Sequence, residues 1–293
     1  MQTVNTALLS YGMSGRIFHA PFIEQHPGFE LAGSWERSTK RIHEHYPQVR
    51  SYATLDELLA DDAIDLVVVN TPTYTHYELT KKVLQSGKHV VVEKAFAGNA
   101  DEARELRDLA KAAGRTLSVF QNRRWDSHFL CVRKVLEDGV LGDIVEANLG
   151  YCRFDPALSP KVHKEEPSSG AGIVKDLGPH AIDQALVLFG KRGCFLKDRA
   201  DVQEPQLDEG IKPSDAGYGV EPDGCEGRLY VGDGDEPQLV ASPPGNYMAF
   251  YEGVHASITD GKPEPVSAED GVRVMRVIDA AFRSHREGKV IAP

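Results

Sequence analysis

Apolar residues in the first 120 positions come in short runs, each cut off by glycine, proline or a polar cluster. Thr6-Ala-Leu-Leu-Ser-Tyr-Gly12, Phe29-Glu-Leu-Ala-Gly-Ser-Trp35, Ile64-Asp-Leu-Val-Val-Val-Asn70, Lys88-His-Val-Val-Val-Glu-Lys94-Ala95 and Thr116-Leu-Ser-Val-Phe120 are too short for helices. Their Val-rich members read as strands buried on both faces. Between them, Leu55-Asp-Glu-Leu-Leu, Tyr77 to Ser86 closed by Gly87, and a segment capped by Asn99 or Asp101 and running to Ala113-Gly114 carry helical spacing or helix-end signals. Strands alternating with helices predict a doubly wound parallel sheet.

Beyond Phe120 the pattern predicts a helix from Phe129 to Glu137 ended by Gly139, then a half-buried strand from Ile144 to Phe154 that opens a second domain. Asp155 to Gly172, with Pro156, Pro160 and Ser168-Ser-Gly-Ala-Gly172, reads as a loop, and a helix is expected from Ile173 to Phe189. Lys191 to Asp223 is polar and interrupted by Pro205 and Pro213. Gly224 to Val231 and Pro237 to Ala241 are short strand candidates around an acidic turn, Gly232 to Glu236. Helices then follow from Ala249 to Asp260, closed by Gly261, and from Ala268 to Arg286, capped by Ser267 and ended by Gly288. The last carries Val272, Met275, Val277, Ile278 and Phe282 as its apolar positions.

Composition narrows the function. A chain of 293 residues with 41% hydrophobic content has room for two domains with real cores. Its 33 Lys and Arg against 44 Asp and Glu leave a net charge of -11, which argues against nucleic acid or an anionic membrane as partner. Cys131, Cys152, Cys194 and Cys225 show no Cys-x-x-Cys spacing, so neither a zinc ribbon nor a dithiol redox site is signalled and reduced thiols are expected. No leader and no bilayer-length apolar window is present, making the cytoplasm the default location.

Candidate chemistry collects at the carboxyl ends of the predicted strands, where open α/β sheets bind ligands. Gly12-Met13-Ser14-Gly15 forms a turn from strand to helix that suits a pyrophosphate, although Ser10 stands where a dinucleotide fingerprint has its first glycine. A structural turn between strand and helix is the plain alternative. Glu36 follows Gly15 by 21 residues, in place to accept hydrogen bonds from an adenosine ribose and so to favour NAD. Arg37, Ser38 and Lys40 follow at once and suit a 2′-phosphate, as in NADP. Asn70-Thr71-Pro72, Thr75 and His76 end one strand. Glu93-Lys94 ends the next, delivering a lysine suited to proton transfer or to capping the strand. Asn122, Arg123, Arg124 and Trp125 follow the last, as surface charges or as a site for an anionic or polyhydroxy ligand. In Asp176-Leu-Gly-Pro-His180-Ala-Ile-Asp183 a histidine is flanked by carboxylates at helical spacing, which suits an acid or base. Metal ligation by this trio lacks any accompanying ligand motif, and no metal is expected.

Gly12-Met-Ser-Gly15, Asn70-Thr71-Pro72 with His76, Glu93-Lys94, Asn122-Arg123-Arg124 and Asp176-x-x-x-His180 together resemble the Gfo/Idh/MocA oxidoreductases, in order and spacing, over essentially the whole chain. The resemblance implies an α/β protein with a Rossmann dinucleotide-binding domain at 1–122. It also implies a C-terminal α+β domain for substrate and oligomerisation at 123–293, with a large open, mostly antiparallel sheet. The last helix, 268–286, would pack back on the Rossmann domain. The implied reaction is hydride transfer between the nicotinamide of NAD or NADP, with a slight lean to NAD, and a carbon of a sugar, inositol or related polyol.

Lys94, His180 and Asp176 would be catalytic: Lys94 on the reacting hydroxyl and the nicotinamide ribose, His180 as acid/base, Asp176 on a neighbouring hydroxyl. Gly12, Met13, Ser14, Gly15, Glu36, Arg37, Asn70, Thr71, Pro72, His76, Glu93, Lys94 and Asn122 would line the cofactor. Arg123, Trp125, Asp176 and His180 would line the substrate. A homodimer or homotetramer is expected. The alternatives are a non-catalytic NAD(P)-binding sensor on the same fold, or an enzyme that processes glycosides through transient NAD-dependent oxidation.

Ser10 departs from the family pattern. So does Ala95, where proline usually follows Glu-Lys. After Gly190 the implied sheet should continue for several strands, yet the chain passes directly to Lys191-Arg-Gly-Cys-Phe-Leu-Lys197, which looks like a later segment. A missing segment is the preferred explanation, because a true deletion would leave a sheet edge unpaired.

Overall fold

A computed structural model describes residues 2–36, 40–142, 144, 146–151, 171–188, 194–197, 201–230 and 236–293. These fall into two compact units, one drawn from residues 1–121, 153–182 and 251–293, the other from 122–152 and 183–250.

The first unit is built on a six-stranded sheet: β1 (Val4–Leu8), β2 (Phe29–Trp35), β3 (Arg50–Tyr52), β4 (Leu66–Val69), β5 (His89–Glu93) and β6 (Leu117–Phe120). The spatial order is β3-β2-β1-β4-β5-β6 and every pairing is parallel. The order reverses between β1 and β4, so the carboxyl ends of those strands open the crevice where such sheets take their ligands. Val67, Val68, Val69, Val90, Val91 and Val92 have no measurable exposure. Each contributes about 1.5–3 kcal/mol of burial energy to the sheet centre.

Helices cover this sheet. A π-helical stretch, Gly15–His19, continues into α1 (Ala20–Gln25), and α2 (Leu55–Leu59), α3 (His76–Gln85) and α4 (Ala100–Ala113) follow. Asn99 caps α4 by accepting from the Glu102 amide, settling the choice between Asn99 and Asp101, and Gly114 ends it at φ 62°. Strand β3 was absent from the expected set; it has only three residues, pairs only with β2 and is exposed at Arg50.

Two elements differ from expectation near the candidate histidine. The single helix expected over Ile173 to Phe189 is broken into α6 (Ile173–Asp176) and α7 (Gly178–Leu188), and Phe189 lies outside the described residues. Leu177, at φ -102° and ψ -30°, ends the first of them just before Gly178-Pro179. Pro179 has no N–H to donate to the Lys175 carbonyl, which interrupts the ladder of the first helix, and it is tolerated in the first turn of the next. Asp176 and His180 therefore do not share one continuous helical face.

In the second unit, α5 (Ser127–Glu137) packs with a small antiparallel sheet, β7 (Cys194–Leu196), β8 (Gly227–Tyr230) and β9 (Gln238–Val240), in the order β7-β8-β9. Val135, Leu136, Leu141 and Leu229 form its apolar centre, with Val132, Ile144, Leu188 and Val240 against them. A short helix, α8 (Gln203–Asp208), lies in the stretch that looked merely polar. The strand expected from Ile144 does not form among the described residues 144 and 146–151: residues 146–150 are exposed and no ladder partner is recorded there. Residues 152–154, most of the 155–172 loop and the 189–193 junction lie outside the described residues. Among the described residues the sheet here has three strands.

Two helices remain, α9 (Met248–Asp260) and α10 (Ala268–Glu287). A capping box joins Ser267 and Asp270 at the start of α10, whose Val272, Val274, Met275 and Ile278 are buried. It packs on α4 and β6. Val277 is half-buried and Phe282 exposed, at the edge of that face.

Candidate active site

The glycine turn after β1 is held from three directions. Ser10, in place of the expected first glycine, uses its Oγ to accept from the Gly12 amide at 3.2 Å, so its side chain closes the turn. Its carbonyl accepts from Asn70 Nδ2 at 2.8 Å, tying the turn to the end of β4. Gly15 must be glycine, because a Cβ there would lie 2.4 Å from that same carbonyl. Gly12 has open space by contrast, with nothing nearer an added Cβ than Ser10 Oγ at 3.6 Å. Met13 is exposed, and no acidic residue stands in the first helical turn.

Glu93, at the end of β5, reaches back to this turn. Its Oε1 accepts from Ser14 Oγ at 2.5 Å and His19 Nε2 at 3.1 Å, while Oε2 accepts from the Lys94 amide at 3.2 Å. Burial pushes the Glu93 pKa up, but the hydrogen bond and charge of His19, then Ser14 and Lys94, outweigh it and hold the carboxyl at about 2. Glu93 is thus ionised throughout the neutral range.

Lys94 projects from the same strand end. Its Nζ donates to the Asp176 main-chain oxygen at 2.6 Å and to Asp176 Oδ1 at 3.1 Å. The two side chains are 18% and 25% exposed, a half-buried ion pair that solvent can still reach. The Lys94-Ala95 peptide bond is cis. His180, two residues into α7 from its first, is 5% exposed and its amide donates to the Leu177 carbonyl. The structure therefore brings Lys94 and Asp176 together and buries His180 a short step along the chain.

Other candidates have different surroundings. His76 is buried, with Nδ1 2.7 Å from the Ala95 carbonyl and Nε2 2.8 Å from the Thr71 carbonyl, so it ties together the main chain after β4 and after β5. Burial pushes its pKa down against the pull of those two carbonyls. Thr71 Oγ1 meets Thr75 Oγ1 at 2.7 Å beside Pro72. Glu36 Oε2 accepts from the Ile42 amide at 3.0 Å, and Arg37 and Ser38 lie outside the described residues.

In the second unit, Asn122 is buried, and Arg123 is surrounded by carboxylates: Glu204 at 2.9 Å, Asp126 at 3.3 Å and Asp201 at 3.8 Å. Trp125 packs edge-on against Phe250 with ring centres 5.8 Å apart. Asp183, counted above as a flank of His180, makes a two-pronged pair with Arg124, at 2.8 Å to Nε and 2.6 Å to Nη2.

Sequence reasoning missed His19 and Tyr251. His19 is fully buried, its Nε2 on Glu93 and its Nδ1 2.6 Å from the Tyr251 hydroxyl. The available signal was a titratable ring inside the apolar run Arg16-Ile-Phe-His-Ala, four residues after Gly15.

A parallel sheet of this order, a glycine turn at its switch point and a lysine at the neighbouring strand end define a dinucleotide-dependent oxidoreductase class. Family comparison agrees: residues 4–121 match the oxidoreductase family's NAD-binding Rossmann fold, 129–194 the GFO/IDH/MocA C-terminal domain, and 190–292 the oxidoreductase family's C-terminal alpha/beta domain. The chain belongs to the Gfo/Idh/MocA oxidoreductase family.

It is 30% identical to scyllo-inositol 2-dehydrogenase (NADP(+)) IolW of Bacillus subtilis over 345 positions, covering 99% of this chain and 96% of that protein. It is also 30% identical to an inositol 2-dehydrogenase of Rhizobium meliloti over 204 positions, 68% of this chain and 59% of that one. The structure of the oxidoreductase yvaA from Bacillus subtilis superposes with a TM-score of 0.93 at 29% identity, covering 100% and 99% of the two chains. The 345-position alignment is longer than the 293-residue chain, so it opens gaps opposite segments this chain lacks. The two C-terminal matches meet at 190–194, the junction after which the family resemblance implies further strands.

Proposed function

We propose that this protein transfers a hydride between the nicotinamide of NAD or NADP and a carbon of a sugar, inositol or related polyol. The observation that carries the reading is the ammonium of Lys94 held by Asp176 at 3.1 Å at the carboxyl edge of a dinucleotide-type sheet. The residues present fit a dinucleotide. Gly12 carries bare backbone, the helix after Gly15 begins without an acidic side chain, and Asn70 Oδ1 is a buried acceptor with no hydrogen-bond partner among the described residues. Gly12, Met13, Ser14 and Gly15 would hold the pyrophosphate, Glu36 and Arg37 the adenosine ribose, and Asn70, Thr71, Pro72, Glu93, Lys94 and Asn122 the remainder, with His76 bracing Thr71 from behind.

When bound, the nicotinamide supplies the hydride chemistry. Lys94 stabilises the alkoxide-like charge that develops as the substrate O–H loses its proton, and Asp176 fixes the ammonium while its carboxylate accepts from a neighbouring hydroxyl. His180 takes or returns the proton. Arg123 and Trp125 belong to the substrate side of this reading, within a substrate domain at 123–293 that follows a dinucleotide domain at 1–122 along the chain.

Glu36 supports NAD, while the exposed Lys40 and Arg41 and the NADP(+) in a relative's name support NADP, so both cofactors are included. A homodimer or homotetramer in the cytoplasm completes the proposal; no helix among the described residues is long and apolar enough to cross a membrane. The test is nicotinamide absorbance with a panel of sugars and inositols, NAD and NADP in parallel. Turnover that vanishes in His180→Ala supports the reading. Absence of any turnover together with absence of dinucleotide binding refutes it, and tight dinucleotide binding without turnover points to a sensor.

A further inference from the structure

Glu93 precedes Lys94 in sequence, and a free carboxylate there would compete for the lysine ammonium. Its hydrogen bonds are directed elsewhere, from Ser14 Oγ, His19 Nε2 and the Lys94 amide, while Lys94 Nζ pairs with Asp176. His19 is fully buried and makes two hydrogen bonds, at 3.1 Å to Glu93 and 2.6 Å to the Tyr251 hydroxyl. A carboxylate only accepts, so Nε2 carries a proton toward Glu93, while Nδ1 faces the Tyr251 hydroxyl. Tyr251 is itself fixed, stacked on Phe22 at 5.8 Å, and the His19 ring lies 4.5 Å from that of Phe120.

We propose that His19, oriented by Tyr251, is a positioning residue for Lys94: it pins the Glu93 carboxylate against Ser14 and so leaves the lysine ammonium to Asp176 and the substrate. The chain Tyr251, His19, Glu93, Ser14 also fastens the helix start that receives the pyrophosphate to the strand end that carries the reactive lysine. This deepens the functional reading above and rests on Lys94 acting in it. Without the His19 donor, Glu93 keeps its charge in a buried place with one hydrogen bond fewer, and Lys94 is a cation whose charge already acts on it.

Two arms test this. In steady-state kinetics, His19→Ala should lower kcat by about tenfold or more with the dinucleotide Kd changed by less than about threefold, and His19→Gln, whose amide N–H reaches the Nε2 position, should recover most of the loss. A merely structural histidine would lower kcat only through the folded fraction and would not be rescued. The second arm needs no turnover: reductive 13C-methylation reports Lys94 by NMR, its resonance assigned by its absence in Lys94→Arg. That resonance should move in His19→Ala and return in His19→Gln. An unmoved resonance in folded His19→Ala overturns the proposal whether or not the protein is a dehydrogenase. A moved resonance in a protein without turnover upholds the positioning and refutes the catalytic reading instead. If His19→Ala does not fold, Tyr251→Phe keeps the ring and removes the O–H, and no change in either arm overturns the proposal equally.

Discussion

A methyl group at Gly15 would have to occupy space already taken by main chain. An ideal Cβ there lies 2.4 Å from the Ser10 carbonyl oxygen and 2.9 Å from Asn70 Nδ2, while real Cβ atoms essentially never come within 3.0 Å of a neighbour. Neither neighbour is free to retreat. The two are bonded to each other at 2.8 Å, and the adjacent Leu9 amide donates to Val68 in the next strand at 3.0 Å. Displacing this carbonyl is overpacking, about 1–3 kcal/mol, and it spoils a hydrogen bond worth about 1 kcal/mol, so Gly15→Ala should cost roughly 2–4 kcal/mol. In a protein of this size that lowers Tm by roughly 5–10 °C.

Gly12→Ala is the control. Its φ lies outside the left-handed region and its nearest neighbour is 3.6 Å away, so it should change stability by less than about 0.5 kcal/mol. Its methyl group would nevertheless stand on the backbone proposed to meet the pyrophosphate, weakening dinucleotide binding by about tenfold or more. Thermal melts of the ligand-free proteins, with NADH and NADPH fluorescence titrations, separate the two effects. Gly15→Ala melting within about 2 °C of the parent, or Gly12→Ala melting as low as Gly15→Ala, would refute the reasoning.

Lys94→Met keeps the length of the side chain and removes its charge; kcat should fall by about 100- to 1,000-fold, the usual loss for one preorganised stabiliser, with dinucleotide affinity largely retained. Retention of more than about a tenth of the activity would remove Lys94 from the reaction. His89 yields a pH test. Burial, helped by the Arg115 charge and opposed by Asp65, holds its pKa down at about 4, from 6.5 in the unfolded chain. The unfolded state therefore binds a proton first, and stability present above pH 6.5 is lost as pH falls toward 4, by about 3 kcal/mol in all. In His89→Asn the side-chain oxygen can still accept from the Thr116 amide, a bond His89 Nδ1 makes at 3.0 Å, and nothing there titrates. Urea midpoints measured from pH 7 to 4 should fall less steeply in this variant; parallel slopes would show that His89 does not set the acid sensitivity.

The strands that could be read in advance were those whose own residues settle the matter. Val67 to Val69 and Val90 to Val92 are β-branched, contiguous and buried on both faces, so no partner needs to be known to assign them. Strand Arg50–Tyr52 could not be read that way, because three residues with an exposed first position exist as a strand only through pairing to Gly33, Ser34 and Trp35. The break at Leu177 was in principle legible from Pro179, but helical spacing on both sides masked it. Around 201–208, Pro205 reads as a breaker on its own, yet it falls within the first turn of a six-residue helix, where a missing N–H costs nothing.

The same distinction governs the site. Glu93-Lys94 and Asp176 were visible because strand-end position and short spacing locate them. Pairing of Lys94 with Asp176 spans 82 residues and was reachable only through the family resemblance. His19 had no such aid: its partner Tyr251 lies 232 residues away, and taken alone a histidine in an apolar helix is as well explained by packing as by chemistry. Its surroundings change that weighting. A fully buried imidazole spends one nitrogen on a carboxylate adjacent to Lys94 and the other on a tyrosine hydroxyl, where an apolar residue would fill the space without polar groups to satisfy. Replacing both polar partners by apolar groups of the same shape is close to neutral for stability. Packing therefore does not explain the polar chain from Tyr251 to Ser14, whereas the proposed positioning of the Glu93 carboxylate on Ser14 does.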